Sequence, residues 1–192
     1  LPDEDINAAF GFDDKPIANR NLRRCVSPYL AGGDRETADK LAVWIVREWG
    51  GIKSGSETVP TWSTELGDFS PQSVNAFIDR MGTNRISSWS KLLAFAVPEN
   101  EAIYDARTAV GLNCALANMG HRIGFHMPIG RNRHIVPAHK KLRASGFSTI
   151  YGYREYVSLL KAIAANNKLQ DILDVEMRLF ASAPAVASKY AR

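Results

Sequence analysis

The amino-acid sequence predicts an all-α protein. Apolar residues recur at helical spacing, Gly and Pro separate the helical segments, and no stretch alternates apolar and polar residues over the length of a strand. Apolar residues make up 45% and charged residues 23% of the 192-residue chain, as in an ordinary globular domain. We expect an irregular segment over residues 1–33 and a single helical domain over residues 34–192.

The first helices are predicted from capping residues and apolar faces. Asp34 is a suitable N-cap for a helix that continues to about residue 49, where a pair of glycines ends it. Residues 52–69 form a polar loop in this interpretation. Ser70 and Pro71 begin the next helix, with Ser as the cap and Pro at the first helical position, and that helix ends at Gly82.

The second half of the chain is also predicted to be helical. Further helices with one apolar face are expected over residues 90–97, 104–119, 152–166 and 169–181. Residues 120–150 are interrupted by Gly and Pro, hold all four histidines, and offer a short helical turn from Lys140 to Ala144.

Charge is unevenly distributed along the chain. From His121 to Lys161 there are eight Arg or Lys residues against the single acid Glu155, whereas the first fourteen residues carry five acids and no base. A basic stretch with an acidic tail indicates a polyanionic partner. A solvated basic loop is the alternative interpretation.

Composition excludes several classes of protein. No apolar run approaches the roughly 20 residues of a membrane helix, and residues 1–14 lack the pattern of a signal peptide. The two cysteines, Cys25 and Cys114, are too few for a four-cysteine iron–sulfur cluster, and the histidines follow no familiar zinc-ligand spacing. We expect no metal, no cofactor and no membrane partner, and a location in the cytoplasm or on the nucleoid.

The centre of the chain carries the most functional information. A helix, a tight polar turn and a second helix follow one another over about residues 71–97, and such a hairpin presents backbone N–H groups that suit a DNA phosphate. Lys91 is expected in the first turn of the second helix. The helix dipole and burial would both favour the neutral amine that a nucleophile needs. A solvated lysine is the alternative.

Asp105 follows fourteen residues after Lys91, at the predicted start of the next helix. An aspartate at this place can cap the helix. It can also stabilise the positive charge that develops at C1′ of a deoxyribose and assist proton transfer. One carboxylate can serve in both ways.

The segments Ser88–Phe95 (SWSKLLAF) and Ile103–Arg107 (IYDAR) resemble the helix-hairpin-helix DNA glycosylase superfamily, in particular its 8-oxoguanine DNA glycosylase-like branch. The segment Asp174–Phe180 (DVEMRLF) resembles small bacterial members. The resemblance covers about residues 70–181 and is sharpest over residues 86–113. Ser88-Trp89-Ser90 replaces the family's Gly-x-Gly, and the β-sheet lobe of the larger members is absent.

The resemblance implies a compact helical glycosylase-like fold with a helix-hairpin-helix element and a DNA-binding cleft. It implies a DNA N-glycosylase in which Lys91 attacks C1′ while Asp105 stabilises the oxocarbenium-like centre, with AP lyase activity compatible with this chemistry. The substrate is an oxidised purine or another modified base, including one in foreign (phage) DNA, so base-excision repair and phage defence both stay open.

The remaining site residues are assigned by residue type. A flipped base needs aromatic rings on which to stack, and the candidates, for which core packing is the alternative, are Trp89, Tyr153, Trp62 and Phe125. The residues expected to contact DNA are Arg85, Ser88, Ser90, Arg107, Arg131, Arg133, His134, Lys140 and Lys141.

Three expectations complete the prediction. Glu176 lies on an apolar helix face and is either a buried structural carboxylate or a contact to the base. The partner is double-stranded DNA, bound by a monomer. The rival function is a non-catalytic helical DNA-binding module, in which Lys91 is one more cation.

Overall fold

The computed structural model describes residues 15–53, 58–169 and 171–192. The acidic start of the predicted irregular segment, residues 1–14, therefore lies outside the described residues. Within them the chain is mostly helical and has two short strands. The all-α prediction is thus confirmed for the bulk of the described chain, and the strands are an addition to it.

The chain forms two compact units. The first holds the described residues up to Met81 together with Ser88–Ile103, and the second holds Gly82–Ser87 together with Tyr104–Arg192. The domain predicted over residues 34–192 is divided between these units.

The first unit is built from packed helices. They are α1 (Lys15–Ala31), α2 (Arg35–Trp44), a π-helix (Ile45–Trp49), α3 (Val59–Leu66), α4 (Pro71–Met81) and, from Ser88 onward, α5 (Ile86–Ala96). Helix α2 packs against α1 and α3, and α3 packs against α4. Asp34 caps α2 as predicted, because its carboxylate accepts a hydrogen bond of 2.9 Å from the Thr37 N–H.

Helix α5 forms the buried centre of the first unit. Every residue from Ser88 to Ala96 is buried. Trp89 meets the ring of Phe77 on α4 at 6.1 Å between centroids, and Phe95 meets Trp49 of the π-helix at 4.8 Å, both edge to face. A helix that is buried on all sides is a core helix, so a charged residue within it is unusual.

The second unit is built around its C-terminal helix. Its elements are α6 (Ala106–Asn118), β1 (Ile123–Phe125), α7 (Val136–Ala144), β2 (Ser148–Tyr151), α8 (Tyr153–Asn166) and α9 (Ile172–Ala191). Helix α9 packs against α6, α7 and α8. A methyl group on Gly111 of α6 would stand 2.5 Å from Cβ of Ala183 on α9, so these small residues let the two helices approach closely.

The two strands pair in parallel, and helix α7 lies in the crossover between them. The pairing is irregular after Gly124, so that Phe125 is opposite Tyr151. Asn113 of α6 donates a hydrogen bond to the Phe125 carbonyl and accepts one from the Phe125 N–H, both at 2.8 Å. This buried amide therefore fixes β1 to helix α6.

The N-terminal prediction was wrong for residues 15–31, which form helix α1. Leu22, Val26 and Leu30 recur at four-residue spacing and are all buried, a pattern that outweighs the prolines. Pro16 is the second residue of the helix, where a missing N–H breaks no helical hydrogen bond.

The loop predicted over residues 52–69 contains helix α3. Its second residue is Pro60, and it buries Val59, Trp62 and Leu66. The prediction of no strands was also wrong, because strands of three and four residues are too short to show an alternating pattern. The last helix, α9, continues through Pro184 to Ala191 instead of ending near residue 181.

Candidate active site

Lys91 is the single charged residue of helix α5, and it is only 6% exposed. Burying a lysine is costly unless its charge is paired or lost. Helix α5 begins at Ile86, so Lys91 is its sixth residue and lies in the second turn, not in the first turn as predicted. The helix dipole fades beyond the first turn, so it has little influence on this amine.

Gly50 lies directly against the Lys91 side chain. A Cβ atom on Gly50 would stand 2.7 Å from Lys91 Cδ, and equally close to the Val46 carbonyl oxygen. Gly50 closes the π-helix, with its N–H donating to the Ile45 carbonyl at 2.9 Å. A π-helical turn shifts the register of a helix and is frequent at functional sites. Here it brings a residue without a side chain against Lys91.

The hairpin turn that precedes Lys91 lies earlier than predicted. The turn runs from Gly82 to Arg85, both with positive φ, and helix α5 starts immediately after it. Ser88 and Ser90 are therefore inside the helix and buried, at 7% and 0% exposure. The residues Ser88-Trp89-Ser90, which replace the family's Gly-x-Gly in the resemblance, are thus helical, and Gly82 to Arg85 forms the polar turn.

Asp105 belongs to the second unit, where it caps helix α6. Its Oδ1 accepts hydrogen bonds from the N–H groups of Arg107 and Thr108, both at 2.9 Å. The Thr108 hydroxyl accepts in return from the Asp105 N–H at 3.2 Å, which completes a capping box. Both backbone hydrogen bonds to the carboxylate are accepted by Oδ1. Asp105 is partly exposed, and Oδ2 accepts neither of the two backbone hydrogen bonds of the cap.

Two buried tyrosines lie near Asp105. Tyr104 precedes it in the chain, and Tyr156 is near enough for the Asp105 charge to influence its pKa. Tyr104 and Tyr156 are fully buried, with their rings edge to face at 4.7 Å. Burial and the negative charges of Glu176 and Asp105 raise the pKa of the Tyr156 hydroxyl well above its usual range. Burial also raises the pKa of Tyr104, whose hydroxyl donates to the His126 carbonyl. Both phenols therefore stay protonated.

Glu176 is 3% exposed, in agreement with the expectation that this carboxylate is buried. It lies on α9 in the same unit as Asp105 and is near enough to Tyr156 to influence its pKa. Whether Glu176 contacts a base stays a prediction.

Arg107 follows the cap and stacks on an aromatic ring. Its guanidinium carbon lies 3.9 Å from the ring centroid of Phe180 on α9. The buried Nε of Arg107 has no hydrogen-bond partner among the described residues. The ring thus fixes the guanidinium plane, and the predicted contact of Arg107 with DNA stays a prediction.

The other basic side chains predicted to contact DNA are exposed. They are Arg85, Arg131, Arg133, His134, Lys140 and Lys141, all in the second unit. Arg133 Nε donates to His134 Nε2 at 3.2 Å, and Lys141 lies over the ring of Tyr190 at 5.3 Å. Their exposure makes phosphate contacts sterically feasible, and the contacts themselves stay predicted.

The aromatic residues predicted to stack on a flipped base are buried. Trp62, Trp89, Phe125 and Tyr153 are at most 5% exposed. Trp62 and Trp89 both pack on Phe77, and Tyr153 packs on Tyr104 at 6.3 Å. These rings therefore form protein core, and any stacking on a base would require them to lose these neighbours.

Two features of the site were missed in the sequence. The Gly50-Gly51 pair was interpreted only as a helix stop, and no spacing rule connects Gly50 with Lys91. Thr108 could have been found, because Asp-x-x-Thr at a helix start is a capping pattern.

Comparisons with known proteins add no relative, since no protein-family model, curated protein or solved structure matches the chain. Within the described residues, no helix has both the length and the apolar character required to cross a membrane. The same part of the chain holds no cluster of three or more side chains of the metal-ligating types.

Proposed function

We propose that the protein is a DNA glycosylase that excises a modified base from duplex DNA. Lys91 is the nucleophile, and Asp105 stabilises the positive charge that develops on the sugar. The base is an oxidised purine or another modified base, including one carried by foreign DNA. The enzyme acts as a monomer, in the cytoplasm or on the nucleoid.

The observation that carries the proposal is a lysine buried in an otherwise uncharged core helix. Helix α5 contains no other ionisable side chain, and Lys91 is packed against Gly50. Burial disfavours the ammonium form of a lysine, and the neutral amine is the nucleophilic form. In a core helix, leucine or methionine would pack at least as well as lysine, so packing alone does not explain Lys91.

Asp105 supplies the second group. The cap fixes Oδ1, so the orientation of Oδ2 is fixed as well, without any further ordering when a substrate binds. A preorganised carboxylate beside an oxocarbenium-like sugar stabilises the transition state electrostatically. Tyr104 and Tyr156, which stay protonated, add no negative charge near Asp105.

The proposed reaction exchanges the bond from C1′ to the base for a bond from C1′ to the Lys91 amine. The neutral Lys91 amine forms a bond to C1′ while the bond from C1′ to the base nitrogen breaks and its electron pair leaves with the base. The excess proton on the new C1′ ammonium passes to the departing base. Opening of the sugar ring gives a Schiff base, which either undergoes β-elimination of the 3′ phosphate or is hydrolysed by water to regenerate Lys91.

Borohydride trapping tests the nucleophile. Duplexes that contain one modified base each, across a panel of oxidised and alkylated bases, are incubated with the protein and sodium borohydride. We expect a covalent protein–DNA adduct on at least one duplex and its loss in Lys91→Gln. The matched control is Lys189→Gln, which removes an exposed lysine outside the predicted DNA contacts and is expected to leave the adduct intact.

A second candidate function is a non-catalytic DNA-binding module, favoured by the exposed basic side chains of the second unit. Duplex binding without an adduct and without base release from any panel member would support the module. Base release that survives Lys91→Gln but is lost in Asp105→Asn would instead indicate a hydrolytic glycosylase, in which water replaces the lysine.

A further inference from the structure

A polar pocket lies in the second unit, and neither Lys91 nor Asp105 is among its lining residues. It has a volume of about 330 Å³ and is lined by His126, His139, Arg143 and Thr149 over an apolar floor that includes Met127 and Phe147. This volume is at the lower end of the roughly 300–1,000 Å³ of small-molecule sites. The pocket is therefore large enough for a ligand of about the size of a nucleotide.

Regular elements hold the polar groups of the pocket. His139 and Arg143 lie four residues apart on helix α7, so both project from one face. Thr149 lies on β2, and His126 follows β1 directly, with its N–H donating to the Tyr151 carbonyl at 2.9 Å. The crossover of strand, helix and strand thus positions all four groups without a ligand.

The charge of the pocket points to an anion. The ionisable residues among its described lining are His126, His139 and Arg143, and none of the lining residues is an acid. Burial lowers the pKa of His126, and burial together with the positive charges of Arg143 and His126 lowers the pKa of His139. These groups repel one another as cations, and a bound anion would relieve that repulsion.

We propose that this pocket binds a phosphate group, with Arg143, His126, His139 and Thr149 as its hydrogen-bond donors. A guanidinium donates two parallel hydrogen bonds to phosphate, and a permanent cation excludes a metal ion from the same place. Met127 and Phe147 offer an apolar surface for the sugar or base attached to that phosphate. The proposal goes beyond base excision and requires neither Lys91 nor Asp105.

Inorganic phosphate is the first probe. It is titrated into the full chain while the imidazole C–H resonances of all four histidines are followed by NMR. We expect saturable shifts at His126 and His139 but not at the exposed His121. Arg143→Ala should weaken binding about tenfold, the usual effect of losing a charge-assisted hydrogen bond. Lys189→Ala removes an exposed cation outside the pocket and should change binding less than about twofold.

Sulfate tests the link to histidine protonation, because its charge is constant between about pH 6 and about pH 8. A bound anion raises the pKa of a histidine that touches it, so binding takes up protons and must strengthen as the pH falls. We expect binding at least about fivefold tighter at the lower pH, and a much smaller change in the double variant His126→Gln, His139→Gln.

Two sources of phosphate are distinguished by their competitors. If the ligand is the DNA backbone, Arg143→Ala weakens binding to unmodified duplex and saturating phosphate competes with that duplex. If it is a free nucleotide, a deoxynucleoside 5′-monophosphate binds more tightly than phosphate and duplex affinity is unchanged in Arg143→Ala. The proposal is overturned if the His126 and His139 resonances do not move, or if Lys189→Ala weakens binding as much as Arg143→Ala. Circular dichroism of each variant checks that the fold is retained.

Discussion

The Lys91 side chain rests against the α-carbon of Gly50, so closely that a methyl group on that carbon would stand 2.7 Å from Lys91 Cδ. Gly50→Ala must therefore displace Lys91 or the end of the π-helix. We expect a stability loss of about 1–3 kcal/mol in urea unfolding, as for overpacked cores. We also expect borohydride adduct formation to slow by about tenfold or more, because a small misplacement of a reacting group is costly.

The matched control for this prediction is Gly32→Ala. A methyl group on Gly32 meets only the Pro28 carbonyl oxygen, at an ordinary 3.4 Å, so both stability and adduct formation should be unchanged. An unchanged rate of adduct formation in Gly50→Ala would show that Gly50 does not position the amine.

Asp105 can be tested by a pair of substitutions that separate its two contributions. Asn caps helices about as well as Asp, so Asp105→Asn should keep thermal stability while losing the carboxylate charge. Asp105→Ala loses the cap as well and should cost a further 1 kcal/mol or so. We expect both variants to lose base release to a similar extent, measured under single-turnover conditions. Full activity in Asp105→Asn would show that base release does not require the negative charge of Asp105.

Asn113 offers a stability prediction that is independent of function. Its amide makes two hydrogen bonds to the Phe125 backbone and is fully buried. Asn113→Ala leaves a backbone N–H and a carbonyl without these partners, so we expect a loss of about 2–4 kcal/mol in urea unfolding. Asn118→Ala, at the exposed end of the same helix, should cost less than about 0.5 kcal/mol.

The cysteines should differ in reactivity. Cys114 is buried, and burial raises the pKa of its thiol to about 12, so almost none of it is thiolate near pH 8. Cys25 is exposed. Ellman's reagent should therefore label one thiol rapidly in the native protein and the second only after unfolding in urea. Rapid loss of both thiols, or labelling that Cys25→Ser leaves unchanged, would contradict this placement.

The sequence predicts best where local chemistry determines the outcome. Asp34 and Asp105 cap their helices because a side-chain oxygen reaches the first free N–H groups, a relationship visible over three residues. The apolar spacing of Val74, Phe77 and Ile78 likewise identified the buried face of helix α4.

The sequence fails where proline is interpreted without its position in the helix. The predicted irregular segment over residues 1–33 contains Pro16 and the predicted loop over residues 52–69 contains Pro60, yet each is the second residue of a helix, where proline is readily accepted. The start of α5 was placed four residues late, since Ile86 follows a positive-φ arginine that has no sequence signature.

Contacts between distant segments were beyond sequence reasoning altogether. Tertiary packing brings Gly50 against Lys91 and allows the hydrogen bonds between Asn113 and Phe125. The periodicity of a single sequence carries no information about such packing. The pocket around His126 and His139 arises in the same way, from a strand pairing too short to be predicted.

Several of these tertiary contacts involve helix α6, which has thirteen residues. The proposed catalytic carboxylate caps its N-terminus, its middle accepts Ala183 of α9 at Gly111, and Asn113 holds β1 two residues later. Mutational scanning should consequently find the buried positions Thr108 to Cys114 nearly invariant, while the exposed end of the helix at Asn118 tolerates change. Substitutions meant to alter function would therefore spare this buried segment of α6.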